Sequence, residues 1–262
     1  MDNIRNILVD LNGCVMGPPS KDFFEGLWEL AQISKLTKQE QAPFLMGACT
    51  GREMQYARGV LHIIGGPRGF SICESGLGIF DVENEIWTPH PRTNELKPLF
   101  ENEISKIVVS RIMAQHPGDS RLYVGNMLNI AIELTQQAKI TIESLHEETK
   151  RELQEFYLKG VVKLHHSTDT EDITAFDKAD GVAQVEEKTG IPRSQTLGIG
   201  DSDGDQPLLE TVGFVGCPDN ASESCKALVR LKEKEGRGHI SPCKYSKGVS
   251  EIIQYFTGVK IP

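Results

Sequence analysis

The sequence predicts an α/β protein: a doubly wound parallel sheet interrupted by an inserted second α/β domain. Three observations lead there. Between residues 4 and 73, short β-branched apolar runs alternate with segments of helical period, an order that implies parallel strands, right-handed crossovers and helices on both faces. The alternation stops near Trp87 and resumes after Lys178. The 262 residues exceed the ~150 of a typical domain, which leaves room for a smaller second unit.

The run Ile4, Ile7, Leu8, Val9 reads as a buried strand that opens at Asp10-Leu11-Asn12-Gly13 into a turn. Phe23, Phe24, Leu27, Trp28 and Ala31 recur at helical spacing. Pro43 introduces a second strand over residues 44–49, which ends at Thr50-Gly51-Arg52. Met54, Ala57, Leu61 and Ile64 make one helix face, stopped by Gly65-Gly66-Pro67, and residues 70–73 form a third strand. Trp87-Thr88-Pro89-His90-Pro91 is loop-like, and polar helices mix with strands such as residues 129–134. We therefore assign residues 1–85 and 169–262 to the core and 86–168 to the insertion. In the returning half, a helix carries Val182 and Val185, a strand covers residues 196–200, and Asp201-Ser202-Asp203-Gly204-Asp205 follows it. A helix from Leu208, a strand at residues 213–216, a helix over Cys225, Leu228 and Val229, and a last one over Val249, Ile252 and Phe256 complete the order.

Twenty-eight basic against thirty-seven acidic residues give a formal charge of −9, which argues against a nucleic-acid partner. No stretch approaches the ~18 apolar residues of a membrane span, so no membrane partner is expected. The first twenty residues include Asp2, Arg5 and Asp10, unlike a secretory signal. The six cysteines form no Cys-x-x-Cys pair and read as reduced thiols of a cytoplasmic protein.

Ligands of open parallel sheets bind beyond the carboxyl ends of the strands. Three strands here end in polar groups: Asp10 with Asn12, Thr50 with Arg52, and Asp201 with Asp203 and Asp205. Carboxylates brought together repel one another, and a hard cation with oxygen ligands, Mg²⁺ first, relieves that repulsion. The plainer alternative is that Asp10 and Asp201 begin turns or cap helices. Other motifs fail on spacing. The loop from Asp201 has Gln206 and Val212 where a calcium loop needs Gly and Glu. After Gly198 and Gly200 the next glycine, Gly204, comes one residue late for a dinucleotide fingerprint.

Asp10-Leu11-Asn12-Gly13, Thr50-Gly51-Arg52, Lys178 and the Gly200 to Asp205 run resemble, in order, the four signatures of the haloacid dehalogenase superfamily. The resemblance spans residues 4–220. The insertion between the second and third signatures resembles the cap of the sugar-phosphatase branch, which includes Cof-like, sucrose-phosphate and mannosyl-phosphoglycerate phosphatases. The resemblance implies a Rossmann-like core with an α/β cap that selects the substrate. It implies Asp10 as nucleophile, with Thr50 and Lys178 on the phosphoryl oxygens and Gly51 and Arg52 beside them. It implies a Mg²⁺ cofactor held by Asp10, the Asn12 main-chain carbonyl and Asp201, with Asp205 as ligand or just behind the ligands.

Two departures stand out. The family carries Asp where this chain has Asn12, and that Asp protonates the leaving group and then activates water; an amide does neither. Another carboxylate such as Glu74 is a candidate substitute. Gly204 stands where the family has Asn and removes a hydrogen-bond donor. In the insertion, His116, His165 and His166 are candidates for substrate contact, against a plain surface reading. Gly65 to Gly69 is read as a turn, since it follows a helix.

The expected activity is thus Mg²⁺-dependent hydrolysis of a small phosphorylated metabolite, sugar phosphates foremost. The alternatives are a catalytically weakened binder of such metabolites and a phosphomutase. The oligomeric state is not legible.

Overall fold

Four consecutive buried residues, Asn6–Val9, form the first strand (β1) of a computed structural model that describes residues 4–167 and 169–261. The chain divides into two units, Met1–Thr88 with Lys178–Pro262, and Pro89–Asp177.

In the first unit, Leu45–Ala48 (β2) runs parallel to β1, with Val9 opposite Ala48. Phe70–Cys73 (β3) leaves this sheet after a single parallel bridge between Cys49 and Ile72. It instead forms a three-stranded sheet with Gly78–Asp81 (β4) and Ile86–Pro89 (β5), where the sequence led us to expect a third parallel strand. The cause is the turn at Glu74–Gly76, where Glu74 and Ser75 take φ of 46° and 53° and the chain reverses into β4, antiparallel to β3.

The second unit holds Ser120–Leu122 (β6), Ile130–Leu134 (β7), Lys163–His166 (β8) and Thr170–Thr174 (β9) in an antiparallel sheet of order β6-β7-β9-β8. The Ile142–Glu152 helix packs on β8 and β9. This unit ends at Asp177, nine residues beyond the boundary expected at 168, because β9 pairs with both β7 and β8.

The chain re-enters the first unit with the Lys178–Thr189 helix, followed by Thr196–Ile199 (β10), Phe214–Cys217 (β11) and Gly238–Ile240 (β12). The parallel sheet has the order β12-β11-β10-β1-β2. Side chains alternate across it, as strand geometry requires. Ile7, Val9, Leu197 and Ile199 join one core with Leu30, Leu61 and Ile252, while Leu8, Val215 and Cys217 join another with Val182, Leu208 and Val229. Both faces are therefore covered, as a parallel sheet demands.

The Lys21–Lys38 helix shows a different buried stripe from the one its apolar residues suggest. Phe23, Gly26, Leu30, Ile33 and Thr37 face inward, whereas Phe24 and Trp28 are 60% and 52% exposed. Gly26 sets this rotation: a β-carbon there would lie 2.2 Å from the Lys247 backbone, so the helix docks closely on the Tyr245–Thr257 helix along this face. A glycine scores as neither apolar nor polar in a periodicity count, and the pattern misses it.

Candidate active site

The sheet register decides which residues meet. Val9 pairs with Ile199 on one side and Ala48 on the other, so the loops starting at Asp10, Cys49 and Gly200 leave the same carboxyl edge. The Asp10 N–H donates to the Ile199 carbonyl at 2.8 Å, and the Cys49 N–H to the Val9 carbonyl at 2.8 Å. Asp10 and Asp201, separated in sequence by the whole second unit, are neighbours here: one ligand atom each from Asp10, Cys14 and Asp201 falls within 4.8 Å of the others.

Lys178 is the first residue of its helix and is buried. Its Nζ donates to Asp10 Oδ1 at 2.6 Å and also to Asp205 Oδ1. The other Asp205 oxygen accepts from the backbone N–H groups of Asp201 and Ser202, at 2.8 and 3.0 Å, and from the Ser202 hydroxyl. Asp205 is fully buried and both its oxygens are committed to Lys178 and the loop. It is therefore placed to hold Lys178 and the Asp201 loop, the second of the two positions expected for it, just behind the converging group. Gly200 makes this loop possible, since a β-carbon there would sit 2.4 Å from Asp205 Cβ.

Gly13 is required twice over. Its φ is +86°, a region that L side chains avoid, and a β-carbon would lie 2.1 Å from Asp201 Oδ2. Its carbonyl accepts from Asn220 Nδ2 at 2.8 Å, while Asn220 Oδ1 takes the Tyr245 N–H at 2.8 Å. The Ser222 N–H donates to the Asp201 carbonyl at 2.8 Å. Cys14 Sγ lies 3.5 Å from Asp201 Oδ1. The Asn12 side chain on the same loop is exposed.

Thr50 is buried; its hydroxyl accepts from the Arg52 N–H at 3.2 Å, and its backbone is tied to Ile72 and Ser75. Gly51 and Arg52 are half-buried on the turn that follows. The Glu74 N–H donates to the Arg52 carbonyl at 2.9 Å, so the strained turn after β3 braces the loop after β2. Glu74 itself is fully buried. Gly204 has ordinary φ and free space for a β-carbon, the nearest atom being Ser202 Oγ at 3.6 Å, so the backbone does not demand glycine there.

The electrostatics show an excess of negative charge. Burial pushes the Asp10 carboxyl up to about 7, with Lys178 opposing and Asp205 adding to the rise. Burial pushes Asp201 up to about 8, reinforced by Asp10 and Asp205. Burial works against the Lys178 charge, but Asp10 and Asp205 outweigh it and hold that pKa well above the ordinary lysine value. One lysine thus serves a group of three carboxylates, and a further cation is the direct remedy for the remainder. Oxygen donors from Asp10 and Asp201 suit a hard divalent ion.

The histidines singled out in the insertion all lie in the second unit. His116 contacts Glu148 at 2.6 Å, and His166 stacks edge-on against His146, which in turn contacts Glu171. Cys14, Ser202 and Asn220 were not foreseen. Cys14 follows Gly13 directly in the loop and was open to notice, whereas Asn220 is tied in by tertiary contact alone.

Comparison with known proteins agrees with this fold. The model of the haloacid dehalogenase-like hydrolases matches residues 126–251. A phosphoglycolate phosphatase of Methanopyrus kandleri is 25% identical over 237 residues, covering 88% of this chain and 92% of the relative. Among solved structures, the sucrose-phosphatase of Synechocystis, crystallised with sucrose and phosphate, superposes with a TM-score of 0.69 at 19% identity, covering 97% of this chain and 98% of the other. A haloacid dehalogenase-like hydrolase of Bacteroides thetaiotaomicron gives 0.65 at 16%, covering 97% and 99%. Residues 126–251 thus match the haloacid dehalogenase-like hydrolases, and the chain shares its fold with these solved structures along nearly its whole length.

Proposed function

We propose that this protein is a Mg²⁺-dependent phosphohydrolase of small phosphorylated metabolites, with sugar phosphates and phosphoglycolate as first candidates, acting through an aspartyl phosphate on Asp10. The observation that carries the reading is the meeting of Asp10 with Asp201 and Lys178 at one sheet edge, where Lys178 Nζ binds one Asp10 oxygen. A carboxylate so placed is a nucleophile for phosphorus.

In this reading an Asp10 oxygen attacks the phosphoryl group and the bond to the leaving oxygen breaks. Lys178 and Thr50 hold the phosphoryl oxygens and offset the charge that develops on them. Water then attacks the phosphorus of the aspartyl phosphate, which returns phosphate and the free Asp10 carboxylate. Asp205 keeps Lys178 in place and orders the Asp201 loop. Asp10, Asp201 and the Asn12 carbonyl would hold Mg²⁺, which would neutralise charge shared by the carboxylates and the phosphoryl group. The Asn12 amide supplies no proton to the leaving oxygen, so turnover of alkyl phosphates is slow.

The test is phosphate release from a panel of phosphate esters with and without Mg²⁺, together with intact-mass analysis. Metal-dependent release that Asp10→Asn abolishes is expected, with a phosphoryl adduct mapped to Asp10. Release that persists in Asp10→Asn would overturn the assignment. The exposed Asn12 amide favours one second reading, a binder of phosphorylated metabolites that retains affinity without turnover. Calorimetric binding in Mg²⁺ with no phosphate released distinguishes it.

A further inference from the structure

We propose that Ser75 and its neighbour Glu74 are positioning residues for phosphoryl binding: through their backbone they set the Thr50 loop against the helix that carries Lys178. The proposal deepens the functional reading, since it rests on Thr50 and Lys178 as the groups that meet the phosphoryl oxygens. Three consecutive residues take positive φ at this turn, Glu74 at 46°, Ser75 at 53° and Gly76 at 97°. Only the last is a glycine, and side chains such as glutamate and serine seldom occupy this region. Strain of this kind persists where the surroundings fix it, and it collects at ligand clamps and active sites.

The turn aims two successive N–H groups at the loop after β2. Glu74 donates to the Arg52 carbonyl at 2.9 Å and Ser75 to the Thr50 carbonyl at 3.0 Å, while the Thr50 N–H donates to the Ile72 carbonyl at 2.9 Å. Both ends of Thr50-Gly51-Arg52 are thereby held. A trans peptide points its C=O and its N–H in opposite directions, so the bond from Ser75 also turns the Gly51 N–H away from β3. The Thr50 hydroxyl, which accepts from the Arg52 N–H at 3.2 Å, sits on a loop whose backbone the turn has fixed.

The other side of the turn meets the Lys178–Thr189 helix. Gln184 of that helix donates from Nε2 to the Gly76 carbonyl at 2.8 Å, and the Leu77 N–H closes the turn on the Glu74 carbonyl at 3.1 Å. Gly181, three residues after Lys178, packs so closely on β3 that a β-carbon there would lie 2.2 Å from Ile72 Cγ2. β3 and its turn therefore touch both the Thr50 loop and the Lys178 helix. Relaxing residue 75 to negative φ would swing its N–H off Thr50 and the Gly76 carbonyl off Gln184, which loosens both phosphoryl-binding groups at once. Asp10 and Asp201 follow β1 and β10 instead, so the cation ligands depend on this turn far less.

The test measures, on the full chain by calorimetry, the affinity for inorganic phosphate in saturating Mg²⁺ and the affinity for Mg²⁺ alone. Ser75→Val forces a β-branched side chain into positive φ, whereas Ser75→Asn and Ser75→Gly suit that backbone; Gln184→Ala cuts the tie to the helix. Phosphate affinity should fall at least tenfold in Ser75→Val and at least threefold in Gln184→Ala, while Ser75→Asn and Ser75→Gly stay within twofold of the unaltered protein. Mg²⁺ affinity should change less than threefold throughout. Melting curves check folding, and if Ser75→Val does not fold, Gln184→Ala decides alone. Phosphate affinity unchanged in folded Ser75→Val or in Gln184→Ala overturns the proposal. So does an equal loss in Ser75→Asn and Ser75→Gly, which would assign the effect to the serine hydroxyl, and so does Mg²⁺ affinity that falls in step with phosphate. If phosphate binding responds as expected but no phosphate ester is hydrolysed, the phosphohydrolase reading fails and the positioning role stands. If esters are hydrolysed while phosphate affinity ignores residue 75, the reverse holds.

Discussion

Lys178 Nζ stands 2.6 Å from Asp10 Oδ1 and binds Asp205 as well, so one buried ammonium is shared by carboxylates from two ends of the chain. Removing one member of a buried ion pair costs about 3–5 kcal/mol, because the other is left uncompensated. Lys178→Met should therefore lower the melting temperature of the metal-free protein by about 10 °C, at roughly 2–4 °C per kcal/mol. Saturating Mg²⁺ should restore part of the loss. Calorimetric melts in chelator and in Mg²⁺ give the answer; a metal-free variant as stable as the parent would show that the lysine does not neutralise the group.

At Asn12 the expected effect is on rate. The side chain is exposed on the loop that carries Asp10, so a carboxyl group fits there without repacking. Asn12→Asp should raise kcat on alkyl phosphates by about 10²- to 10⁴-fold, the usual contribution of a general acid and base. The gain should be smaller on aryl phosphates, whose leaving group needs no proton. Steady-state kinetics on matched substrates decide it, and equal rates for the two proteins on an alkyl ester would remove the missing acid from the account.

Much of this site was legible before any coordinates, for a physical reason: a strand end followed by Asp, Thr or Asp-x-Asp is a local pattern, and the parallel sheet supplies the convergence. Asp10, Thr50 and Asp201 came from such patterns, and Lys178 from the family resemblance alone. The pairing of β3 with an antiparallel β4 did not, because it depends on Glu74 and Ser75 adopting positive φ, which neither residue type announces. The choice between the two positions open to Asp205 was not legible, since whether a carboxylate faces a cation or the backbone of its own loop is settled by Gly200 and the close approach it allows. The inward stripe of the first helix was lost to Gly26, and the edge of the second unit to a strand, Thr170–Thr174, whose polar residues do not alternate.

Gly13→Ala offers a test of how tightly the loop is built. The new methyl group would occupy the position of Asp201 Oδ2, on a backbone with φ of +86°. Such strain costs of order 1–3 kcal/mol, and Asp201 must move to admit it. Binding of Mg²⁺ by calorimetry should weaken at least tenfold while the fold persists. Unchanged affinity would mean that Asp201 has freedom the packing denies it.

In the second unit, His146 Nδ1 lies 2.9 Å from a carboxylate oxygen of the fully buried Glu171. The hydrogen bond to Glu171 raises the His146 pKa above its ordinary 6.5 despite some burial. Burial likewise raises Glu171 above 4.5, with His146 opposing. Both groups bind protons more tightly in the folded chain, so each adds stability that is complete below its unfolded pKa and is lost as pH rises through its folded one. The Glu171 contribution begins to fade as pH rises past 4.5, and the His146 contribution as pH rises past 6.5. Hydrogen exchange of the β7 and β9 amides should accordingly show a less stable second unit at pH 8 than at pH 6, after correction for intrinsic exchange. His146→Gln should flatten that difference, and a slope that survives the substitution would assign it to other groups.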